Sequence, residues 1–153
     1  MANTYTQLHI QFVFAVRYRA AVIAKNWKEQ LHQYITGIIR ENGHKVLQVN
    51  SQPDHIHIFF GLRPEQSISS LAQHIKAGAT KWIKAQGFCK AGFAWQTGYG
   101  AFSCAKSQVP DVIRYIQNQD AHHKKINFLD EYKAMLEKFE ISYDEQYIFK
   151  ELE

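Results

Sequence analysis

The sequence predicts an α+β fold, an antiparallel sheet with helices packed on it. Three observations carry that expectation. Apolar residues alternate over Leu8–Val16. Two further strand-like runs, 45–52 and 55–62, flank the turn signal Pro53-Asp54. The segments 27–42 and 67–86 change to a helical period.

Each element has its own justification. Leu8, Ile10, Phe12, Phe14 and Val16 alternate with Gln7, His9, Gln11, Val13 and Ala15, a period of two in strand-forming types, and Arg17 and Arg19 follow at the exit. Trp27, Leu31, Tyr34, Ile35, Ile38 and Ile39 give a helix over 27–42, with Gly43 as its stop. Val46, Leu47 and Val49 mark the second strand, and His55 to Leu62 the third, so 45–62 reads as a hairpin. Ser67 or Ser69 opens a helix to about Gln86, buried along Ile68, Leu71, Ile75, Trp82 and Ile83. A loop is expected over 87–92, then a strand over 93–105 kinked at Gly98 and Gly100. Ser107 and Pro110 start a third helix reaching about His122, and Asn127-Phe128-Leu129 a fourth ending near Phe139. The order β-α-β-β-α-β plus two helices is the split-βαβ, ferredoxin-like pattern. Its second sheet face must be covered by a partner, a ligand or the extra helices.

Length and composition bound the function. The 153 residues predict a single domain over 1–153, and 46% hydrophobic with 21% charged residues argue against disorder or a coiled coil. No apolar run approaches the ~20 residues of a membrane span. The first 15 residues show no signal-peptide pattern. A cytoplasmic protein without a membrane partner is the expectation. Cys89 and Cys104 have no scaffold or metal-knuckle spacing and read as buried free thiols. Residues 1–125 hold 15 Lys/Arg against 6 Asp/Glu, a net of +9, whereas 126–153 hold 3 against 8, a net of −5. A basic body fits a polyanion, and the acidic stretch from Asp130 onward reads as solvated helix surface.

Two constellations carry chemistry. In His55-Ile56-His57, residues i and i+2 of a strand project to one face, so two imidazoles can share a metal ion. A histidine-triad hydrolase is excluded because Phe59 stands where its third histidine would be. On the third helix, Asp111, Tyr115, Gln119 and His122 share a polar side, next to the buried side of Val112, Ile113 and Ile116. A tyrosine one turn before a glutamine presents a phenol and an amide oxygen to the same space. A phenol can attack phosphate, and an amide oxygen can be a further metal ligand.

With these residues in view, the chain resembles the HUH single-strand transposases with one catalytic tyrosine, the TnpA-type enzymes of small bacterial insertion sequences. The likeness is carried by Pro53-Asp54-His55-Ile56-His57, by Trp95-Gln96-x-Gly98-Tyr99-Gly100-Ala101-Phe102-Ser103 and by Tyr115-Ile116-x-Asn118-Gln119-x-x-His122-His123, with Thr6 to Arg19 similar to the family's opening strand. It spans about residues 5 to 147. The resemblance implies Tyr115 as nucleophile and His55, His57 and Gln119 as ligands of a divalent metal, Mg²⁺ or Mn²⁺. It implies cleavage and rejoining of single-stranded DNA at hairpin-bearing ends through a 5′-phosphotyrosine. It also implies a homodimer in a bacterial or archaeal cell, nucleoid-associated when bound to DNA, with the tyrosine helix of one subunit completing the other's site. The strand at 98–105, as a sheet edge, is the expected seam.

DNA contact is expected from Arg17, Arg19, Lys76, Lys81, Lys84, Lys124 and Lys125, with Trp and Tyr side chains stacking on unpaired bases. Two alternatives stay open. One is a domesticated relative processing repetitive extragenic palindromes. The other is a non-catalytic nucleic-acid-binding module using a bare ferredoxin-like sheet, which the two histidines on the sheet disfavour.

Overall fold

The computed structural model describes residues 3–89 and 92–144, without the side chain of Arg19. The far end of the acidic stretch and part of the 87–92 loop lie outside the described residues. Four strands, β1 (His9–Ala15), β2 (Lys45–Gln52), β3 (His55–Gly61) and β4 (Gly100–Cys104), form one sheet in the order β2-β3-β1-β4. Every neighbouring pair is antiparallel. This is the ferredoxin-like arrangement.

The strand alternation sorts the side chains. Ile10, Phe12 and Phe14 of β1 and Ile56, Ile58 and Phe60 of β3 face one side. There they meet α1 (Lys28–Glu41) through Leu31, Ile35 and Ile39, and α2 (Ile68–Gln86) through Leu71, Ile75, Ala79 and Ile83. Burying each of the leucine, isoleucine and phenylalanine side chains among these contributes roughly 1.5–3 kcal/mol. The two helices approach closely at Gly78, where an added Cβ would sit 2.8 Å from Ile38 Cδ1. Ser67 caps α2 by accepting the Ser70 N–H at 3.1 Å.

Val13, Ala15 and Phe102 face the other side and pack under α5 (Phe128–Lys138), through Phe128, Tyr132 and Leu136. The chain's own C-terminal helices thus cover the second face. An additional Cβ at Gly100 would stand 2.8 Å from the Tyr132 ring, so the glycine lets α5 lie close to β4. The Asn127 side chain caps α5 by accepting the Asp130 N–H at 2.9 Å.

Three expectations need correction. The strand expected over 93–105 is regular only at 100–104. Upstream, Gly98 takes φ +86° and breaks the extended run, leaving Trp95 paired with Val16 as an isolated bridge. The helix expected from Ser107 to His122 divides at Asn118 into α3 (Val109–Gln117) and α4 (Gln119–His122). Cys89 and Cys104 are free but only partly buried.

Candidate active site

Strand pairing builds the floor of the site. Across the sheet, His57 lies between Val13 and Asn50, and His55 between Ala15 and Gln52. Both imidazoles are fully buried on the α5 side. Each ring is held from behind. His55 Nδ1 lies 2.7 Å from Asp54 Oδ1, and His57 Nδ1 lies 2.8 Å from Gln11 Oε1. Both partners are oxygens that only accept, so each Nδ1 donates and each Nε2 turns its lone pair inward. His55 also stacks on Phe128, with ring centroids 4.1 Å apart.

The roof comes from α3 to α5. Asn50 Nδ2 donates to the Ile116 carbonyl at 2.8 Å, fastening the end of α3 to β2. Asp120 on α4 accepts from Lys28 Nζ at 3.3 Å and from Gln52. These ties bring Tyr115 over His57, ring to ring at 5.7 Å and nearly perpendicular. They also bring Gln119 Oε1 to 3.2 Å from His55 Nε2. Tyr115, Gln119, His55 and His57 therefore meet within one chain. After Ala105 the chain turns back over its own sheet, so within one chain the tyrosine helix lies over that chain's own histidines.

The centre of the cluster is a residue the sequence reading assigned to solvent. Glu131 is buried at 3% exposure. Its Oε1 lies 3.4 Å from Nε2 of both His55 and His57 and 2.8 Å from His123 Nε2. Its Oε2 accepts from Gln119 Nε2 at 2.9 Å and from the Tyr115 hydroxyl. A usable signal existed: Glu131 falls within the stripe Phe128, Tyr132, Met135, Leu136 that faces inward on α5. Gln11 and Asp54 were likewise read only as strand and turn residues.

Electrostatics follow from this packing. Burial raises the Glu131 carboxyl, but the surrounding imidazoles of His123, His55 and His57 outweigh it and hold the group well below the carboxylate range. Burial lowers His55, yet its bonds to Asp54 and Glu131 prevail and raise it. His57 is lowered, because burial wins over Glu131. Burial, then the charge of Glu131, pushes the Tyr115 phenol above its ordinary value. The site thus holds a neutral phenol beside an ionised carboxylate. A cavity of about 590 Å³ opens onto Tyr115, lined by Gln11, Val112, His122, Glu131 and Met135.

The residues present fit a divalent cation. The ligand atoms of His55, His57 and Glu131 lie within 4.8 Å of one another. Two inward lone pairs and a carboxylate repel one another unless positive charge stands among them.

The other expected residues distribute differently. Asp111 is exposed at the rim of the cavity that opens onto Tyr115 and pairs with Arg114. Arg17, Lys76, Lys81 and Lys84 line a groove of about 750 Å³ beside Trp95 and Tyr99, on the α2 side of the sheet and away from Tyr115. Lys76 is half-buried: Nζ donates to the Gln96 carbonyl at 3.0 Å and lies 5.3 Å from the Phe14 ring centroid. Burial lowers its pKa to about 8. It secures the 96–98 turn. Lys124 and Lys125 are exposed just beyond α4. The sheet is not bare: His55, His57 and Phe59 are covered at 0% exposure. No helix among the described residues is long and apolar enough to cross a membrane.

Comparison with known proteins places the chain in a family. Residues 4–119 match the family described as "Transposase IS200 like". The ISDra2 transposase TnpA of Deinococcus radiodurans is 25% identical over 118 residues, covering 74% of this chain and 84% of the relative. A crystal structure of a candidate transposase from Deinococcus radiodurans superposes with a TM-score of 0.62 at 19% identity, covering 78% of this chain and 95% of that one. A REP-associated tyrosine transposase bound to a REP hairpin gives 0.61 at 18% identity, covering 82% and 74%. These two structural likenesses establish the shared fold.

Proposed function

Because the chain belongs to the IS200-like transposases, enzymes that cut and join DNA, we propose that it cleaves and rejoins single-stranded DNA at hairpin-bearing ends, with Tyr115 as nucleophile. The reading is supported above all by one observation: the Tyr115 hydroxyl, two inward-facing imidazoles and Gln119 converge on a single buried carboxylate.

The chain's residues divide the work. Tyr115 donates its proton toward Glu131 Oε2, which leaves oxygen lone pairs directed at an incoming phosphorus. The phenol oxygen forms the new P–O bond, the bond from phosphorus to the 3′ oxygen breaks, and the proton given up by the phenol is balanced by one taken up by the leaving 3′ oxygen, giving a 5′-phosphotyrosine and a free 3′-hydroxyl. That hydroxyl, or another, can attack the phosphotyrosine in return, so strands rejoin without an external energy source. His55, His57 and Gln119 would hold Mg²⁺ or Mn²⁺. When bound, the ion supplies charge neutralisation on the scissile phosphate. Asp54 and Gln11 keep the two rings oriented throughout.

Arg17, Lys81 and Lys84, with Trp95 and Tyr99 nearby, would receive backbone phosphates and unpaired bases of the hairpin region. Lys124 and Lys125 would serve strands entering near Tyr115, and Arg19 belongs to the same set by sequence. The REP hairpin held by the structural relative is in keeping with such a substrate. A homodimer through the open edge of β4, in the cytoplasm, completes the proposal, each chain of 1–153 acting as one domain with its own tyrosine.

The test is covalent labelling. Tyr115→Phe should abolish the protein–DNA adduct with labelled hairpin single strands while binding changes less than threefold. An adduct formed by the Phe variant would place the nucleophile elsewhere.

A further inference from the structure

We propose that Glu131, from α5, is itself a ligand of the active-site cation through Oε1 and ties the nucleophile to that cation through Oε2. The proposal rests on the metal-dependent reading above and extends the His55, His57, Gln119 set by a charged member on a different element.

Four observations carry it. First, the carboxylate is buried, and its ionic partners among the described residues are histidines only: His55, His57, His122 and His123. A buried carboxylate is costly unless a positive charge compensates it, and no lysine or arginine stands among those partners. Second, Asp54 and Gln11 fix both Nδ1 atoms as donors, so the Nε2 atoms 3.4 Å from Oε1 present lone pairs to an anion. That arrangement is repulsive until a cation stands between them. Third, two imidazoles and an amide are a neutral set suited to later transition metals, whereas one carboxylate makes the set suit Mg²⁺ or Mn²⁺. Fourth, the two oxygens face different partners. Oε1 looks toward the imidazoles, and Oε2 accepts from Tyr115 and Gln119. One rigid carboxylate therefore spans the distance from cation to nucleophile, and His123 steadies it from the side at 2.8 Å.

Placement of Glu131 is built into α5. Phe128 stacks beneath His55, and Tyr132 packs at Gly100, on either side of the glutamate. The role assigned is that of a ligand and a positioning residue for Tyr115.

Mn²⁺ binding in the absence of DNA, followed by electron paramagnetic resonance at fixed pH, tests the proposal. Wild type should bind Mn²⁺, and His57→Ala should lose it. Glu131→Gln keeps the shape and removes the charge. It should bind at least tenfold more weakly while its circular dichroism is unchanged. Wild-type affinity in Glu131→Gln, together with loss in His57→Ala, overturns the role of Glu131 and leaves the metal reading standing. Absence of Mn²⁺ binding in wild type overturns both. If Glu131→Gln does not fold, wild type carrying ¹³C-labelled glutamate carboxyls decides the matter. A ¹³C coupling to bound Mn²⁺ supports the proposal, and its absence overturns it.

Discussion

His32 on α1 is buried against β2, with Nε2 2.8 Å from Ser51 Oγ. Burial lowers its pKa to about 4, against the opposing pull of Glu29. The folded protein therefore resists a proton that the unfolded chain accepts near pH 6.5. The unfolded state binds more protons between those values, so stability from this group is whole above pH 6.5 and is lost as pH falls through about 4. The loss should reach on the order of 3 kcal/mol. Denaturant titrations at pH 7, 5 and 4 should show a steep acid loss in wild type and a shallower one in His32→Gln. Equal slopes would remove His32 from the account. Glu131 shows the same physics with the opposite sign: its partners hold it ionised, and a charge is kept inside because something must answer it.

At the scale of elements, the position of the tyrosine depends on a few cross-element ties. Pro110 at the start of α3 and the division at Asn118 leave a helix of nine residues. Such a helix is too short to hold its own direction. Asn50 on β2 directs it instead, through the Ile116 carbonyl. Asn50→Ala should lower stability by about 1 kcal/mol, the worth of one such hydrogen bond. It should slow cleavage far more, by about tenfold or greater, because a nucleophile displaced by about an ångström loses in-line approach. Thermal melting and single-turnover cleavage, measured together, check this. A cleavage rate unchanged beside a lowered melting point would show that α3 is aligned by other contacts. The same reasoning explains why the third helix was read too long. The polar side of Asp111, Tyr115, Gln119 and His122 is continuous in helical spacing, and the interruption at Asn118 is set by ties to β2.

For the whole molecule, the sheet is closed by its own chain on both faces. α1 and α2 cover one face and α3 to α5 the other, so His55, His57, Gln119 and Glu131 are buried together between β3 and the C-terminal helices of one chain. If each site is built within one chain, as proposed, mixed assemblies have a definite outcome. Reassembling Tyr115→Phe with His57→Ala subunits should leave cleavage at background, because each chain lacks one part of its own site. Restored cleavage would show that tyrosine helices exchange between chains.

The strands, the two long helices and their order were legible in sequence, because alternation and helical period are direct consequences of burying one face of a regular element. Even the placing of His55 and His57 on one face follows from a spacing of two on a strand. Tyr115 and Gln119 carried a sequence signal as well, through the family motif and one helical turn. What those local rules did not supply is which elements lie across from one another. Glu131 stands 76 residues after His55 and 16 after Tyr115, and only the docking of α5 on the second sheet face brings them together. Local period marks a residue as inward-facing, but whether a buried carboxylate meets solvent-like emptiness, a lysine or four histidines is decided by tertiary packing. The acidic count of the C-terminal region averaged that one residue with its solvated neighbours. The position of Tyr115 over the sheet is of the same kind: it depends on Asn50, Gln52 and Lys28 gripping α3 and α4, long-range contacts that no periodicity encodes.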